Sequence, residues 1–282
     1  MKRLSKFYVL LTALFVTILT SCDKDNNNRP KATMTTAKTE IRIGLRGTGT
    51  VDIDWGDGSA KETITIISDG TLEIIHNYAS EIQRTITITG DNITRLNCYR
   101  NELTSLNVSE LVNLEFLDCL LNQLTSLDVS GLANLKILQC MDNQLTSLIV
   151  NGLINLEFLQ CTGNQLISLN LSGLVNMREL ECSQNKITSL DVSELAKLEY
   201  FGCAQNQLTS LDISKLTKLI VLNCRYNHMN STMLNTIFTS LRTVSGYDYQ
   251  IYIGYNGPNY DDTGTSECNK SIAENKGWTV YY

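Results

Sequence analysis

LEFLDCLLNQLTSLDVS, residues 114–130, places one cysteine and one asparagine inside a run of leucines. Both return at a fixed interval. Cys98, Cys119, Cys140, Cys161, Cys182, Cys203 and Cys224 follow one another at a constant 21-residue period, and Asn101, Asn122, Asn143, Asn164, Asn185, Asn206 and Asn227 stand three positions behind them. An unbroken period of this length marks a stacked repeat in which each unit is one turn of a coil. Within the unit, Leu114, Leu117 and Cys119 take the inward positions of a short strand, while Phe116, Asp118 and Leu120 point outward. The asparagine stands where the chain turns, because its amide both donates to and accepts from backbone groups that a bend leaves unpaired. Leu124, Leu127 and Val129 repeat the alternation on a second, opposite wall, and Leu132 closes the coil.

One such turn buries too little apolar surface to stand alone; its neighbours must supply inter-strand hydrogen bonds and cover both faces, and the ends need caps. Six steps of about 4.8 Å make a wall about 29 Å long. The unit LxxLxCxxNxLTSLDVSxLxx is the leucine-rich-repeat pattern with cysteine in its second strand position. Over residues 92–227 it resembles the cysteine-ladder repeat of internalin J-type surface proteins. The resemblance implies a curved β-face presented to host or matrix macromolecules. The chain departs from that group in carrying the marks of a lipid anchor rather than a cell-wall sorting signal, so the partner does not carry over.

The regularity of the cysteines is a packing signal. Disulfide frameworks show irregular spacings and paired counts, whereas these seven follow the repeat and are odd in number. In-register thiols on adjacent strands also sit at or beyond the usual separation of bridged Cβ atoms. Metal binding needs converging ligands, and the Cys-x2-Cys spacing of zinc sites is absent. The expectation is a buried row of reduced thiols acting as small hydrophobes.

Upstream, MKRLSK followed by the apolar run of residues 7–19 reads as a signal peptide over 1–21, too short to span a bilayer. Leu19-Thr20-Ser21-Cys22 resembles the lipobox of bacterial lipoproteins, which implies acyl chains on Cys22 and a membrane contact through the lipid anchor only. The acidic residues behind Cys22 resemble a surface-export signal, which implies an outer-membrane lipoprotein on the bacterial cell surface, with the periplasmic face or secretion as alternatives. Cleavage removes Lys2, Arg3 and Lys6 and no acid, moving the formal net charge from −6 to −9. So acidic a body lacks the basic footprint of a nucleic-acid binder. Residues 22–38 are polar and without periodicity, and read as a flexible tether.

Residues 39–91 alternate as strands at EIRIGLRG, TVDIDWGDG, ETITII and RTITITG. VDIDWGDGS followed by HNY resembles a PKD-like β-sandwich. Val51, Ile53 and Trp55 share one face and Asp52 and Asp54 the other; with Asp57 these acids offer a conceivable calcium site, although EF-hand spacing fails. Beyond Asn227 the period stops. Residues 228–282 read as an α/β cap: a helix capped by Ser231 and running through Leu241, a strand at YQIYIG, a helix over SECNKSIAENKG and a strand at WTVYY.

The expected fold is therefore mainly β: a leucine-rich-repeat solenoid of 21-residue repeats between a small N-terminal β-sandwich-like domain and an α/β C-terminal cap. Chemistry is sparse. His76 and His228 lie in separate segments, so a histidine-activated nucleophile is not assembled. Glu179 and Glu181 share the outward face of one strand at the spacing of a glycosidase pair, but on an open wall without the enclosing cleft that raises one pKa. Binding fits better. Arg95, Phe116, Ile137, Phe158, Glu179, Tyr200 and Val221 form one outward column, with Tyr99 and Arg225 beside it. The expectation is a monomeric, non-enzymatic binding protein without cofactor or metal, which recognises an extracellular protein or glycan through Arg95, Tyr99, Phe116, Ile137, Phe158, Tyr200, Val221 and Arg225. The alternatives are an envelope spacer with no ligand face, and a glycan-processing enzyme built on Glu179 and Glu181.

Overall fold

The computed structural model describes residues 29–246, 248–257 and 262–282. The expected signal peptide, the lipidation site Cys22 and the start of the tether lie outside the described residues. The chain opens with strands β1 (Lys31–Thr36), β2 (Glu40–Asp54), β3 (Glu62–Ile66), β4 (Leu72–Asn77), β5 (Arg84–Asn97) and β6 (Ser105–Asn107). One three-residue strand per turn follows: β7 (Phe116–Asp118), β8 (Ile137–Gln139), β9 (Phe158–Gln160), β10 (Glu179–Glu181), β11 (Tyr200–Gly202) and β12 (Val221–Asn223). The last elements are α1 (Ser231–Ser240), β13 (Gln250–Tyr252), α2 (Thr263–Glu267), α3 (Ser271–Glu274) and β14 (Thr279–Tyr281). The molecule is thus mainly β, a solenoid of 21-residue turns with few helices.

Strands β5 and β7 to β14 lie side by side in parallel, in one register that passes from Arg95 through Phe116, Ile137, Phe158, Glu179, Tyr200, Val221 and Gln250 to Thr279. Leu114, Leu117 and Cys119, together with Leu124 and Val129, have no exposed surface. All seven repeat cysteines are free and fully buried. Burial raises every one of these thiols, Cys161 and Cys224 to about 12.

The asparagines form a second ladder. Asn143 Nδ2 donates to the carbonyls of Cys119 at 3.0 Å and Cys140 at 3.1 Å, while its Oδ1 accepts from the Leu124 N–H at 3.0 Å. Asn164, Asn185, Asn206 and Asn227 repeat the two donations to cysteine carbonyls. The residue before each asparagine is left-handed, as at Leu121 (φ 55), Asp142 (φ 53), Gln184 (φ 55) and Gln205 (φ 53). That conformation costs a non-glycine residue about 1–2 kcal/mol, and the buried amide bonds around the bend hold it in place.

Four sequence expectations need correction. The tether over residues 22–38 ends earlier than expected: β1 lies inside it, antiparallel to both β5 and β6, with Ala32, Met34 and Thr36 buried. A two-residue alternation of small and apolar side chains was hidden there among threonines and lysines. The second wall is not a regular sheet. Leu124 and Leu127 are three positions apart, which breaks strand periodicity, and isolated bridges join Asp128, Ile149 and Asn170 instead. The cap of α1 is Asn230, whose side chain accepts from the Met233 N–H, and Ser231 is already helical. The helix expected over SECNKSIAENKG divides into α2 and α3, broken where Cys268 is extended at φ −75, ψ 153.

Both ends of the coil share its sheet. Strand β5 pairs antiparallel with β1 and β2 along its length and parallel with β7 at Arg95–Asn97, so one strand is common to the N-terminal segment and the first turn. At the other end β13 and β14 extend the same wall. The step from Val221 to Gln250, and again from Gln250 to Thr279, is longer than the repeat period. Ile251 and Ile253 take the leucine and cysteine positions, and Asn256 donates to the carbonyls of Cys224 and Ile253 as a repeat asparagine does. The first of these longer turns holds α1, whose Leu234, Ile237 and Phe238 are buried.

Candidate ligand-binding face

The strand pleat decides what the parallel wall offers. Side chains on either side of the central residue of each repeat strand, a buried leucine or in β11 Phe201, point to solvent and stack from turn to turn at strand spacing. In the first of these columns Phe116, Ile137, Phe158 and Val221 are half-covered, and Tyr200 is 44% exposed. Arg95 opens the column and lies over the Phe116 ring at 3.4 Å. Tyr99 is exposed at one border. Arg225 lies 5.1 Å above the Tyr252 ring, and its Nε is buried without a hydrogen-bond partner among the described residues. The structure thus aligns Arg95, Phe116, Ile137, Phe158, Tyr200 and Val221 in one register. Tyr99 and Arg225 stand at opposite ends of the wall, two columns away from this register.

The second column is polar and tied together. Gln139 donates to Gln160 at 2.9 Å, and Gln160 to Glu179 of the first column at 3.1 Å. Glu181 accepts from the Ser183 hydroxyl at 3.3 Å, and its carboxylate occupies the room that a side chain at Gly202 would need. Burial raises the Glu181 pKa, with the nearby charge of Glu179 acting in the same direction. Asp118, an outward position by sequence, is 7% exposed. Burial raises its pKa too, opposed by the Leu120 N–H and by Arg95.

A concavity lies at the N-terminal end of this wall. A cavity of about 380 Å³ is framed by Arg46, Thr48, Ser68, Asn92, Arg95 and Phe116, among others. Sequence reasoning found Arg95 and Phe116 there but not Arg46, since nothing in the pattern of β2 announces that it lies against β5. Neither Glu179 nor Glu181 lines this cavity.

The acids considered for calcium are engaged singly. Asp52 pairs with Arg29 at 2.7 Å and accepts from Thr63, Asp54 accepts from the Gly56 N–H, and Asp57 accepts from the Ser59 N–H and meets His76 at 2.9 Å. Hydrogen bonds from Ser59, then from His76, hold Asp57 below the usual carboxylate range. His76 stacks on Trp55 at 4.3 Å, and Tyr78 donates to the Trp55 carbonyl at 2.7 Å. This cluster binds the Trp55 turn to β4. Among the described residues no group of three or more His, Cys, Asp or Glu side chains converges on a metal position. No helix among them is long and apolar enough to cross a membrane.

No family model matches the chain, and no curated protein matches it either. Solved structures do. The fold is shared with the leucine-rich-repeat protein LIC12759 of Leptospira interrogans, at 23% identity and a TM-score of 0.54 over 67% of this chain and 48% of that one. It is shared also with the leucine-rich-repeat domain of a Shigella effector, at 22% identity and a TM-score of 0.50 over 67% and 80%. The functional domain of InlJ from Listeria monocytogenes, which includes a cysteine ladder, is 28% identical over 58% of this chain and 39% of that one, with a TM-score of 0.47. The chain spans less than half the length of the Leptospira and Listeria structures. The fold is thus that of a leucine-rich-repeat solenoid, here with a buried cysteine ladder.

Proposed function

We propose that this chain is a surface-anchored binding protein that holds a macromolecular partner, protein or glycan, against the concave wall of its coil. One observation carries the reading: the in-register run of Phe116, Ile137 and Phe158, continued beyond Glu179 by Tyr200 and Val221, apolar side chains kept at the solvent boundary of a continuous wall. Contiguous apolar surface of this kind marks interaction sites, and large aromatic side chains are the usual anchors of an interface. Arg95, Tyr99 and Arg225 supply polar contacts at its borders. In this reading residues 39–91 form a small PKD-like β-sandwich domain ahead of the repeats and residues 228–282 close the far end as an α/β cap. Acyl chains on Cys22 tether the body to the outer membrane with the wall facing outward. The protein acts as a monomer, without cofactor or metal, and is neither an enzyme nor a nucleic-acid binder.

The test is a glycan and protein array probed with residues 29–282, followed by the triple change of Phe116, Phe158 and Tyr200 to Ala. Capture of a partner by the parent and its loss in the variant, with the two-state melt preserved, is the expected result. A captured partner that the variant holds equally well overturns the concave-wall reading. It would favour a spacer, a role to which the side-chain stacking of Arg95 on Phe116 and the Gln139–Gln160–Glu179 relay would also be suited. Turnover of chromogenic glycosides, lost in Glu181→Gln, would overturn the non-enzymatic reading.

A further inference from the structure

The N-terminal end of the wall holds an arrangement that folding alone does not favour. Arg46 of β2 and Arg95 of β5 are direct cross-strand partners. Like charges directly opposite each other in an antiparallel pair are destabilising. Neither guanidinium forms an ion pair among the described residues: Arg46 donates to the Ser68 carbonyl at 2.6 Å, and Arg95 rests on the Phe116 ring. The third cation at the cavity, Lys136, is already paired with Glu115 at 2.9 Å. Arg95 is half-buried, and its pKa is lowered first by that burial and next by the charge of Arg46.

The backbone is shaped around this pair. The register between β2 and β5 shifts immediately after Arg46, and a side chain at Gly47 would collide with the Asn92 carbonyl. Bulges of this kind re-aim side chains and are enriched beside functional sites. Here the shift lies at the rim of the cavity of about 380 Å³. Asp118 offsets part of the charge on Arg95 without forming an ion pair with it, and two guanidinium forks with their hydrogen-bonding edges not taken by a carboxylate suit one, which Arg binds in a planar, bidentate manner.

We propose that the Arg46–Arg95 cavity is a carboxylate-binding pocket that takes one acidic side chain of a partner protein, whose adjoining apolar residues continue along Phe116, Ile137 and Phe158. The proposal deepens the concave-wall reading and rests on it for the apolar part of the contact. A polyanionic glycan is disfavoured by the same wall. Asp118 stands on the strand next to Arg95, Glu179 and Glu181 stand further along the wall, and the whole chain carries a formal charge of −6. A ligand with a charge on every unit would therefore be attracted at one end and repelled along the rest. An isolated acid followed by apolar groups matches the order of surfaces along this wall.

The experiment uses the full chain and two blocked tetrapeptides, Glu-Leu-Leu-Phe and Gln-Leu-Leu-Phe, titrated calorimetrically at low and at physiological salt. The expected result is a preference of about tenfold for the glutamate peptide at low salt, reduced by salt, as befits a charge-assisted contact. Arg46→Gln and Arg95→Gln should each erase that preference while leaving the melting temperature unchanged or raised, because each relieves the repulsion. Arg46 is exposed, so the first variant keeps the test clear of folding defects. Equal affinity for the two peptides overturns the carboxylate pocket and leaves the apolar wall standing. Failure of both peptides to bind overturns the proposal as stated, while the array and the triple alanine variant decide the wall separately. Tighter binding of glucuronate oligomers than of the glutamate peptide overturns the assignment to an acidic protein segment.

Discussion

Each ladder thiol is enclosed by aliphatic side chains and strand backbone, and Cys98, Cys182 and Cys224 donate to the carbonyls of Asp118, Gly202 and Tyr252 on the adjacent strand at 3.4–3.5 Å. Burial alone makes ionisation costly, so the folded chain keeps seven protons that the unfolded chain releases near pH 8.5. The sign follows directly. A raised folded pKa stabilises below the unfolded value and loses that contribution as pH climbs toward the folded one, about 12 for Cys161 and Cys224. Between about pH 9 and 12 each thiol lowers the unfolding free energy by about 1.4 kcal/mol per pH unit, and seven together by roughly 9–10 kcal/mol per unit. Tyr78, pushed up to about 12 by burial, acts in the same direction. Urea titrations at steps between pH 8 and 10.5 should show this steep loss, and changing Cys161 and Cys182 to Ala should reduce the slope by about 2.7 kcal/mol per unit whatever the cavities cost at neutral pH. A stability that stays flat to pH 10.5 would mean the thiols are not buried as protonated groups. Alkylation read by mass spectrometry checks the same point: the seven should react in denaturant and not in the native protein, whereas Cys268 is half-exposed and stays reachable.

Among the elements, the repeat strands were legible in the sequence because each states the same pattern, and the inward set Leu114, Leu117 and Cys119 needed only strand alternation to be placed. The asparagine turn was legible for the same reason. Elements that occur once were harder. β1 carries its buried face on Ala32, Met34 and Thr36, residues whose composition alone reads as linker. The antiparallel register that sets Arg46 against Arg95 is decided by tertiary pairing, so half of the proposed pocket had no sequence signature. β13 did have one, since Ile251-x-Ile253-x-x-Asn256 is the repeat core, but its longer step from β12 escaped a search at the repeat period. Two predictions belong to this scale. A chain beginning at residue 38 loses β1, uncovers the edges of β5 and β6 and should melt many degrees below one beginning at residue 29; equal melting temperatures would mean β1 contributes nothing. Asn143→Ala removes one accepted hydrogen bond and an amide group whose two protons are shared among three carbonyls in a dry bend, and should cost about 3 kcal/mol. Asn256→Ala should cost about 1 kcal/mol less, because Asn256 Oδ1 has no partner among the described residues. Chemical denaturation of the two variants side by side decides it.

At the scale of the whole molecule, the sequence period equals the structural period, so each turn contacts chiefly its two neighbours and stability is close to a sum of turn and interface contributions. Deleting residues 143–163 joins Asp142 to Asn164 and removes one full turn of the coil. The left-handed bend, the asparagine and the following Leu166 then fall where Asn143 and Leu145 had stood. The shortened coil should keep a single cooperative melt at a lower temperature. Deleting residues 144–163 instead leaves two asparagines in succession and shifts every inward position by one. In a strand a shift of one residue turns the buried set to the outside, so this variant should lose its sharp transition although it is one residue closer to the parent. The pair also separates the two parts of the binding surface. The full-turn deletion leaves Arg46, Arg95, Phe116 and Ile137 in place but puts Glu179 where Phe158 followed Ile137 in the ladder. The preference for the glutamate peptide over the glutamine peptide should persist in this variant, while affinity for both falls because Phe158 is lost and Glu179 ends the apolar run one turn earlier. Calorimetry on the shortened coil measures the two effects together, and an unchanged affinity for both peptides would show that the wall beyond Ile137 takes no part in holding them.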